Sequence, residues 1–202
     1  MALQISELLL TSTNTSRIAG VLLGERVAAH GKKSLWEDRF GGIVDTVVIH
    51  YISAGLVQPD APFDLHRIIP IFIELGVSSH YLVSREGEII RLVPDDKKAW
   101  HCGGSIMPPP DCRRGVNDFS LGIELVATHD SGFTEAQYTS LLSLCRDLEI
   151  RHKRCFAYVG HEHVAGEEAV RLGLRKEPKV DPGPLFDWER LRKGLARGMD
   201  AL

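Results

Sequence analysis

The sequence predicts a single α/β domain with a mixed central β-sheet flanked by helices. Two apolar runs, Thr46–Tyr51 and Phe119–Ala127, are typical of buried strands. A hairpin pattern lies between them and an amphipathic helix follows, a mixture that indicates a sheet covered by helices. A purely parallel sheet would need a more regular alternation of strands and helices. The length of 202 residues suits one domain with one hydrophobic core.

The first forty residues carry the weakest pattern in the chain. Glycines interrupt any long helix there, and no alternation of apolar and polar residues persists. We therefore expect residues 1–40 to form an N-terminal arm packed on the main domain, which spans residues 41–202.

A helix and a β-hairpin are predicted between the two apolar runs. Leu65–Leu75 predicts a helix that Pro70 starts or bends and that Gly76 ends. Ser79–Arg85 and Glu88–Val93 predict the two strands of a hairpin.

The second half of the chain alternates loop, helix and strand. The glycines and prolines of residues 103–118 predict a surface loop beside the substrate cleft. Thr134–Gln137 is a capping-box signature. It precedes an apolar face at helical spacing, made of Tyr138, Leu141, Leu142, Cys145 and Leu148. Phe156–Val159 predicts a strand, and Phe186–Ala196 a closing helix.

The composition is that of an ordinary globular protein, with 25% charged residues, 44% hydrophobic residues and a net charge of -3. No basic block or stripe indicates a nucleic-acid partner. No apolar run approaches the ~20 residues that span a bilayer, so we expect no membrane partner. The N-terminus lacks the features of a signal peptide, so we expect a cytoplasmic protein, or a periplasmic or secreted one if a signal was removed. The sequence does not indicate an oligomeric state.

The four cysteines are too few for a disulfide framework, and none forms a C-x-x-C pair. Cys145 lies on the apolar helix face, where a small buried hydrophobe is expected. Spacing leaves a Cys102–Cys112 disulfide open as the less favoured alternative.

Three stretches place metal-binding side chains where predicted strands end. His50 closes an apolar run, His161 follows Gly160, and Asp181 is held extended by Pro182. Two imidazoles and one carboxylate are a ligand set of catalytic zinc, with a fourth position open for water. The sequence therefore predicts a metal-dependent hydrolase, although a single histidine at a strand end is more often structural.

Two charged residues are candidates for catalysis. Glu124 lies inside an apolar strand, where burial raises the pKa of a carboxyl and suits it to general-base work. A buried salt bridge is an equally weighted alternative. Lys179 lies two residues before Asp181, so both side chains point the same way in an extended segment. It is suited to stabilising an oxyanion, and a weak surface ion pair is the alternative.

Six blocks occur in a fixed order over about residues 44–192. They are VVIHY at 47–51, SHYLV at 79–83, AWHCG at 99–103, NDFSLGIEL at 117–125, GH at 160–161 and KVDPGPLFDW at 179–188. In this order they resemble the zinc-dependent N-acetylmuramoyl-L-alanine amidases of the second amidase family, which includes phage lysozyme-type amidases and peptidoglycan recognition proteins. The resemblance implies a mixed sheet and one Zn²⁺ ion per chain, held by His50, His161 and Asp181.

The reaction implied by the resemblance is hydrolysis of the lactyl amide between N-acetylmuramic acid and L-alanine, in peptidoglycan or its anhydro-muropeptide fragments. Glu124 would move the proton and Lys179 would stabilise the oxyanion. Phage-type members place a tyrosine before the histidine of the third strand, where this chain has Ser79. The pattern is therefore closer to the bacterial anhydro-muropeptide amidases of cell-wall recycling.

Several points stay open on sequence alone. His163 lies near enough to His161 to reach the same metal, and we favour His161 because it directly follows the glycine that closes the strand. His80 and His101 are candidates for contacts to the ligands. Nineteen residues separate His161 from Asp181, so residues 169–178 are expected to be an insertion beside the site. A non-catalytic peptidoglycan-binding module and a phage-type lytic amidase acting on intact cell wall remain the alternatives.

Overall fold

A computed structural model of the chain describes residues 3–199. Its strands are β1 (Ser6–Glu7), β2 (Arg17–Ile18), β3 (Val21–Leu22), β4 (Trp36–Asp38), β5 (Thr46–Ile52), β6 (Tyr81–Val83), β7 (Ile89–Arg91), β8 (Lys97–Ala99), β9 (Ser120–Val126) and β10 (Ala157–Gly160). Its helices are α1 (Leu23–Ala29), α2 (Leu65–Leu75), α3 (Glu135–His152), α4 (His161–Ala165), α5 (Glu167–Arg171) and α6 (Trp188–Met199). A 3-10 turn covers Val116–Asp118.

The central sheet has the strand order β1-β7-β6-β9-β5-β10. The pair β6–β7 is antiparallel, whereas β1–β7, β6–β9, β9–β5 and β5–β10 are parallel. The predicted mixed sheet with flanking helices is confirmed. Strands β5 and β9 lie inside the sheet with helices on both of its faces, which is why their sequences are apolar almost throughout.

Alternate residues of the central strands face two different cores. Val47, Ile49 and Ile123 pack with α3 and α6 on one face. On the other face, Leu82 and Val126 pack with α1 and α2. Because side chains alternate along a strand, His50 and Glu124 point away from α3.

The N-terminal residues contribute to the second of these cores. Leu10, Leu23, Val27 and Leu35 are fully buried in it. Strand β1 extends the central sheet beside β7, and β4 pairs with β8. A division of the chain at residue 40 stays a prediction.

One helix start, that of α2, agrees with the sequence prediction, and another, that of α6, differs from it. Helix α2 begins at Leu65 because Asp64 accepts a hydrogen bond from the His66 amide (2.9 Å), so Pro70 lies inside the helix. Helix α6 begins at Trp188 instead of residue 186, since Asp187 accepts from the Arg190 amide at 2.8 Å.

Other boundaries follow the predicted pattern more closely. Gly76 ends α2 in the left-handed conformation (φ 64°). The capping box of α3 is present, with Thr134 and Gln137 bonded reciprocally. The hairpin strands are shorter than predicted at both ends. At their inner ends the turn already begins at Ser84, whose amide donates to the Glu88 carbonyl.

The 103–118 segment is only partly a surface loop. Met107 and Val116 are buried in a small core of their own with Cys102. All four cysteines are free, so the alternative of a Cys102–Cys112 disulfide is wrong. The Cys102 thiol instead donates to Asn117 Oδ1 at 3.1 Å. Within residues 3–199, no helix has both the length and the apolar character needed to cross a membrane.

Candidate active site

The structure brings His50, His161 and Asp181 into one cluster. His50 Nδ1 lies 3.0 Å from Asp181 Oδ2 and 3.1 Å from His161 Nδ1. His161 Nδ1 lies 3.1 Å from the same carboxylate oxygen. Three potential ligand atoms thus form a nearly equilateral triangle at the edge of a cleft.

Each corner of the triangle comes from a different element. His50 lies within β5, two residues before the strand ends, and is only 2% exposed. His161 follows the end of β10, as predicted, and is the first residue of α4, since Gly160 is extended and the helix starts directly after it. The Asp181 segment is anchored to this helix, since its carbonyl accepts from the Glu162 amide at 2.8 Å. His161 and Asp181 are therefore held as one unit against the sheet.

His163 does not reach this cluster. In a helix, two residues turn the side chain to roughly the opposite side, and His163 Nδ1 accepts from the Gly160 amide at 2.9 Å. Its ring lies 5.2 Å from that of Trp188. His161 therefore belongs to the triangle of potential metal ligands, whereas His163 contacts the Gly160 amide and Trp188.

The triangle fits a tetrahedral metal ion. Bonds of ~2.0 Å in tetrahedral geometry separate neighbouring ligand atoms by about 3.3 Å, a few tenths more than the edges observed here. Burial lowers the pKa of His50, but the carboxylates of Glu124 and Asp181 outweigh burial and raise it overall. The cluster therefore attracts positive charge, and its three residues could hold a metal ion.

His101 orients the imidazole of His50. Its Nδ1 lies 3.0 Å from His50 Nε2, and its Nε2 lies 3.2 Å from the Ser120 hydroxyl. The network is satisfied when His50 Nε2 and His101 Nε2 both carry protons. His50 Nδ1 then presents a lone pair to the triangle, which is the state needed to bind a metal.

Glu124 lies beside His50 on the neighbouring strand. The two residues are register partners of β5 and β9, so their side chains lie on the same face of the sheet. Burial raises the pKa of Glu124 to about 7, and Oε2 has no hydrogen-bond partner in the described part of the chain. A carboxyl in this state is poised to accept and release a proton near neutral pH.

Comparison with known proteins now gives the family. The N-acetylmuramoyl-L-alanine amidase family (Amidase_2) matches residues 40–184. The 1,6-anhydro-N-acetylmuramyl-L-alanine amidase AmpD of Salmonella typhimurium is 36% identical over 148 residues, which are 73% of this chain and 71% of the relative. The chain belongs to the N-acetylmuramoyl-L-alanine amidase family.

Solved structures agree with this assignment. A crystal structure of a selenomethionine AmpD derivative is 33% identical with a TM-score of 0.63, covering 79% of this chain and 89% of that one. Escherichia coli AmiD, in complex with anhydro-N-acetylmuramic acid-L-Ala-D-gamma-Glu-L-Lys, is 27% identical with a TM-score of 0.51, covering 77% and 59%. The chain is therefore an N-acetylmuramoyl-L-alanine amidase with the mixed α/β fold of its relatives.

The amidase carries its charged groups around a cleft of about 280 Å³. Lys179, Glu124 and the three residues of the triangle line this cleft together. Lys179 is exposed, and its amide donates to the Ala165 carbonyl at 2.9 Å. Because Lys179 and Asp181 both line the cleft, their side chains face the same space, which agrees with the extended segment expected from the sequence.

His80, a sequence candidate for contact with the ligands, supports the amidase fold instead. Its Nδ1 accepts from the Gly122 amide at 2.9 Å, and its Nε2 lies 3.0 Å from the Lys97 carbonyl. Burial lowers the pKa of His80 to about 4, with the nearby Arg39 lowering it further. The ring stays neutral and joins β8 to β9.

Two contributors to the amidase site were not found from the sequence. Gly122 lies beneath His101, so close that a Cβ atom there would lie 2.6 Å from the imidazole Cγ. Asn117 Oδ1 accepts from the amides of His101 and Cys102 at 3.2 and 2.9 Å. The glycine in a run of apolar residues was the signal for a close approach. Nothing in the sequence identified the ring that makes it.

Proposed function

We propose that the amidase is a zinc enzyme that hydrolyses the lactyl amide between N-acetylmuramic acid and L-alanine in soluble anhydro-muropeptides. The observation that carries this proposal is the triangle of His50, His161 and Asp181 with Glu124 beside it. The names of the AmpD relatives and the ligand of AmiD support the anhydro-muramyl substrate.

His50, His161 and Asp181 would hold the zinc ion. When bound, zinc supplies Lewis-acid polarisation and a water of lowered pKa. Glu124 takes the proton of the attacking water and returns it to the leaving amine of alanine. Lys179 donates to the oxyanion that forms on the lactyl carbonyl. His101 keeps the His50 imidazole in the tautomer that faces the metal.

The state of the cysteines supports a proposal for the cellular compartment of the enzyme. All four cysteines of the chain are free, which is usual in a reducing compartment. We propose the cytoplasm, where soluble anhydro-muropeptides would be degraded for reuse. Cell fractionation followed by immunodetection tests this, and recovery of the protein in the periplasmic or secreted fraction would contradict it.

The first experiment measures metal and activity together. Metal content is determined on the purified enzyme, and release of the alanine-headed peptide from a soluble anhydro-muropeptide is followed with and without chelator. One zinc per chain and chelator-sensitive release are expected. The variant Asp181→Ala should lose both metal and activity.

Three outcomes would redirect the proposal. Retention of stoichiometric zinc by Asp181→Ala would overturn the ligand assignment. Release from intact cell wall alone would favour a lytic amidase. Absence of both zinc and hydrolysis would favour a peptidoglycan-binding module, which the filled ligand positions disfavour at present.

A further inference from the structure

One cationic residue of the cleft has no role in the hydrolysis proposed above. Arg175 lies in the 169–178 insertion, and it lines the same cleft as Lys179 and the metal triangle. The residue is half-buried. Within residues 3–199, no carboxylate lies within 4.0 Å of its guanidinium. A cation in such a place is available to an anionic ligand.

The guanidinium is held by backbone atoms on two sides. Its Nε donates to the Glu177 carbonyl at 2.6 Å, and its Nη1 donates to the Gly103 carbonyl at 3.3 Å. Since arginine has more N–H donors than these contacts use, further donors remain for a ligand. The contacts fix the side chain at the cleft without neutralising its charge.

The 169–178 insertion packs against the backbone at Gly104. A Cβ atom at Gly104 would lie 2.5 Å from the Leu174 carbonyl and 3.3 Å from Arg175 Cβ. The Leu174 amide donates to the Ala169 carbonyl at 2.9 Å. The backbone beside Arg175 therefore rests directly on the 103–104 turn, so the residue belongs to a preformed wall.

Another part of the cleft wall is apolar, in contrast to the cationic part at Arg175. Leu75 and Val77 contribute exposed apolar surface to the lining, 69% and 37% exposed. Among the residues that line the cleft, Arg175 and Lys179 are the cations, and Lys179 is assigned to the reaction centre. Arg175 is therefore the cation available to an anionic group elsewhere on the substrate.

We propose that Arg175 is a specificity-determining residue that binds the free α-carboxylate of a γ-linked glutamate next to the alanine of the substrate peptide. This inference rests on the proposed function. In the ligand of AmiD the glutamate directly follows the alanine, and its γ-linkage leaves the α-carboxylate unbonded. This is therefore the carboxylate of the peptide nearest to the scissile amide. The guanidinium fork matches a carboxylate in geometry and charge.

The test compares two substrates that differ only at this carboxylate. They are anhydro-N-acetylmuramyl-L-Ala-D-γ-Glu and the same molecule with the α-carboxylate amidated. For the carboxylate substrate, Arg175→Gln should raise KM about tenfold or more with kcat within about twofold. For the amide substrate, wild type and variant should have similar KM values. Arg175→Lys should recover part of the loss, since it keeps the charge without the fork.

Lys176→Gln is the matched control, because Lys176 is an exposed neighbour of the same charge outside the cleft lining. It should leave both KM values unchanged. An unchanged KM in Arg175→Gln, or an equal rise for both substrates, would overturn the inference.

A binding measurement separates this inference from the proposed function. Calorimetric titration of both ligands into Glu124→Gln does not require turnover. Tighter binding of the carboxylate form that disappears in Glu124→Gln/Arg175→Gln supports the role of Arg175, even if wild type hydrolyses neither ligand and the proposed function fails. Equal affinity for both forms rejects the role of Arg175, even where hydrolysis is observed.

Discussion

Glu124 illustrates how a side chain acquires its chemistry from the strand around it. All seven residues of β9 are buried, and Glu124 is the acidic residue of the strand. Its desolvation is tolerated because His50 lies directly across the strand pair. The same burial that costs stability raises the pKa of the carboxyl and makes it a proton acceptor for the proposed reaction.

For Glu124→Gln we expect retained zinc and fold but a kcat at least about 100-fold lower, because the amide cannot accept the water proton. Metal analysis and steady-state kinetics measure the two properties separately. The control is Glu88→Gln, an identical substitution at an exposed position of the hairpin turn. Near-normal turnover in Glu124→Gln would remove this residue from the mechanism.

His101 acts through His50, so its replacement should affect metal binding first. In His101→Phe the ring remains but the acceptor for His50 Nε2 is lost. We expect zinc affinity to fall about 10- to 100-fold, measured by competition with a chromogenic chelator. His129→Phe, at an exposed histidine, serves as the control. Unchanged affinity in His101→Phe would show that the hydrogen bond does not orient the ligand.

At the level of single residues, the sequence predicts those that carry motif chemistry. His50, His161 and Asp181 were selected by type and by strand-end position, and they meet in the structure. The role of Gly122 depends on a ring that approaches from a distant segment. The position of Arg175 in the cleft depends on how the backbone of residues 169–178 folds against Gly104. In both contacts the partner is distant in the sequence, so no local pattern identifies it.

At the level of elements, β9 is shaped by what packs on it. The absence of a side chain at Gly122 allows His101 to cross the strand and reach His50. A methyl group there would force the imidazole away.

For Gly122→Ala we therefore expect weaker zinc binding together with a loss of about 1–3 kcal/mol in the free energy of unfolding. Urea denaturation and chelator competition measure the two effects. Gly103→Ala is the stability control, because a Cβ atom at Gly103 meets nothing within 4 Å. A Gly122→Ala protein with wild-type stability and affinity would show that the ring moves aside freely.

Long elements were predictable and short ones were not. Helix α3 carries both a capping box and several turns of apolar spacing, so local signals agree. Strands β1 to β3 have two residues each, too few for any period to show. Helix α4 has only five residues, and its start at His161 is set by the strand before it.

At the level of the whole molecule, a charged cluster joins the sheet to α3. Asp95, 11% exposed, accepts from the Tyr81 hydroxyl at 2.5 Å and pairs with Arg151. Arg151 also donates to the Tyr81 hydroxyl at 3.0 Å. Burial alone would raise the pKa of Asp95, but the hydrogen bonds from Tyr81 and Arg151 outweigh it and lower the pKa.

The lowered pKa makes the stability of the fold depend on pH. The contribution of Asp95 is complete above its unfolded-state pKa of ~3.9 and is lost as pH falls through the lower folded-state value. For Asp95→Asn we expect a loss of roughly 1–2 kcal/mol at neutral pH that shrinks in acid. Urea titrations near pH 7 and near pH 3 measure it. The exposed neighbour substitution Asp96→Asn should have little effect, and a pH-independent loss in Asp95→Asn would contradict the prediction.

The pairing of β1 with β7 has a consequence for solubility. Without residues 6–10, the backbone groups of β7 and of Leu92 would lose their hydrogen-bond partners in β1, Leu8 and Leu10 and would lie open along one side of the sheet. Such a bare edge is a template for strands of other molecules. The covering segment is short and carries a charge at Glu7, two properties that discourage further pairing. We therefore expect this stretch of chain, none of whose residues lines the cleft, to limit aggregation of the enzyme.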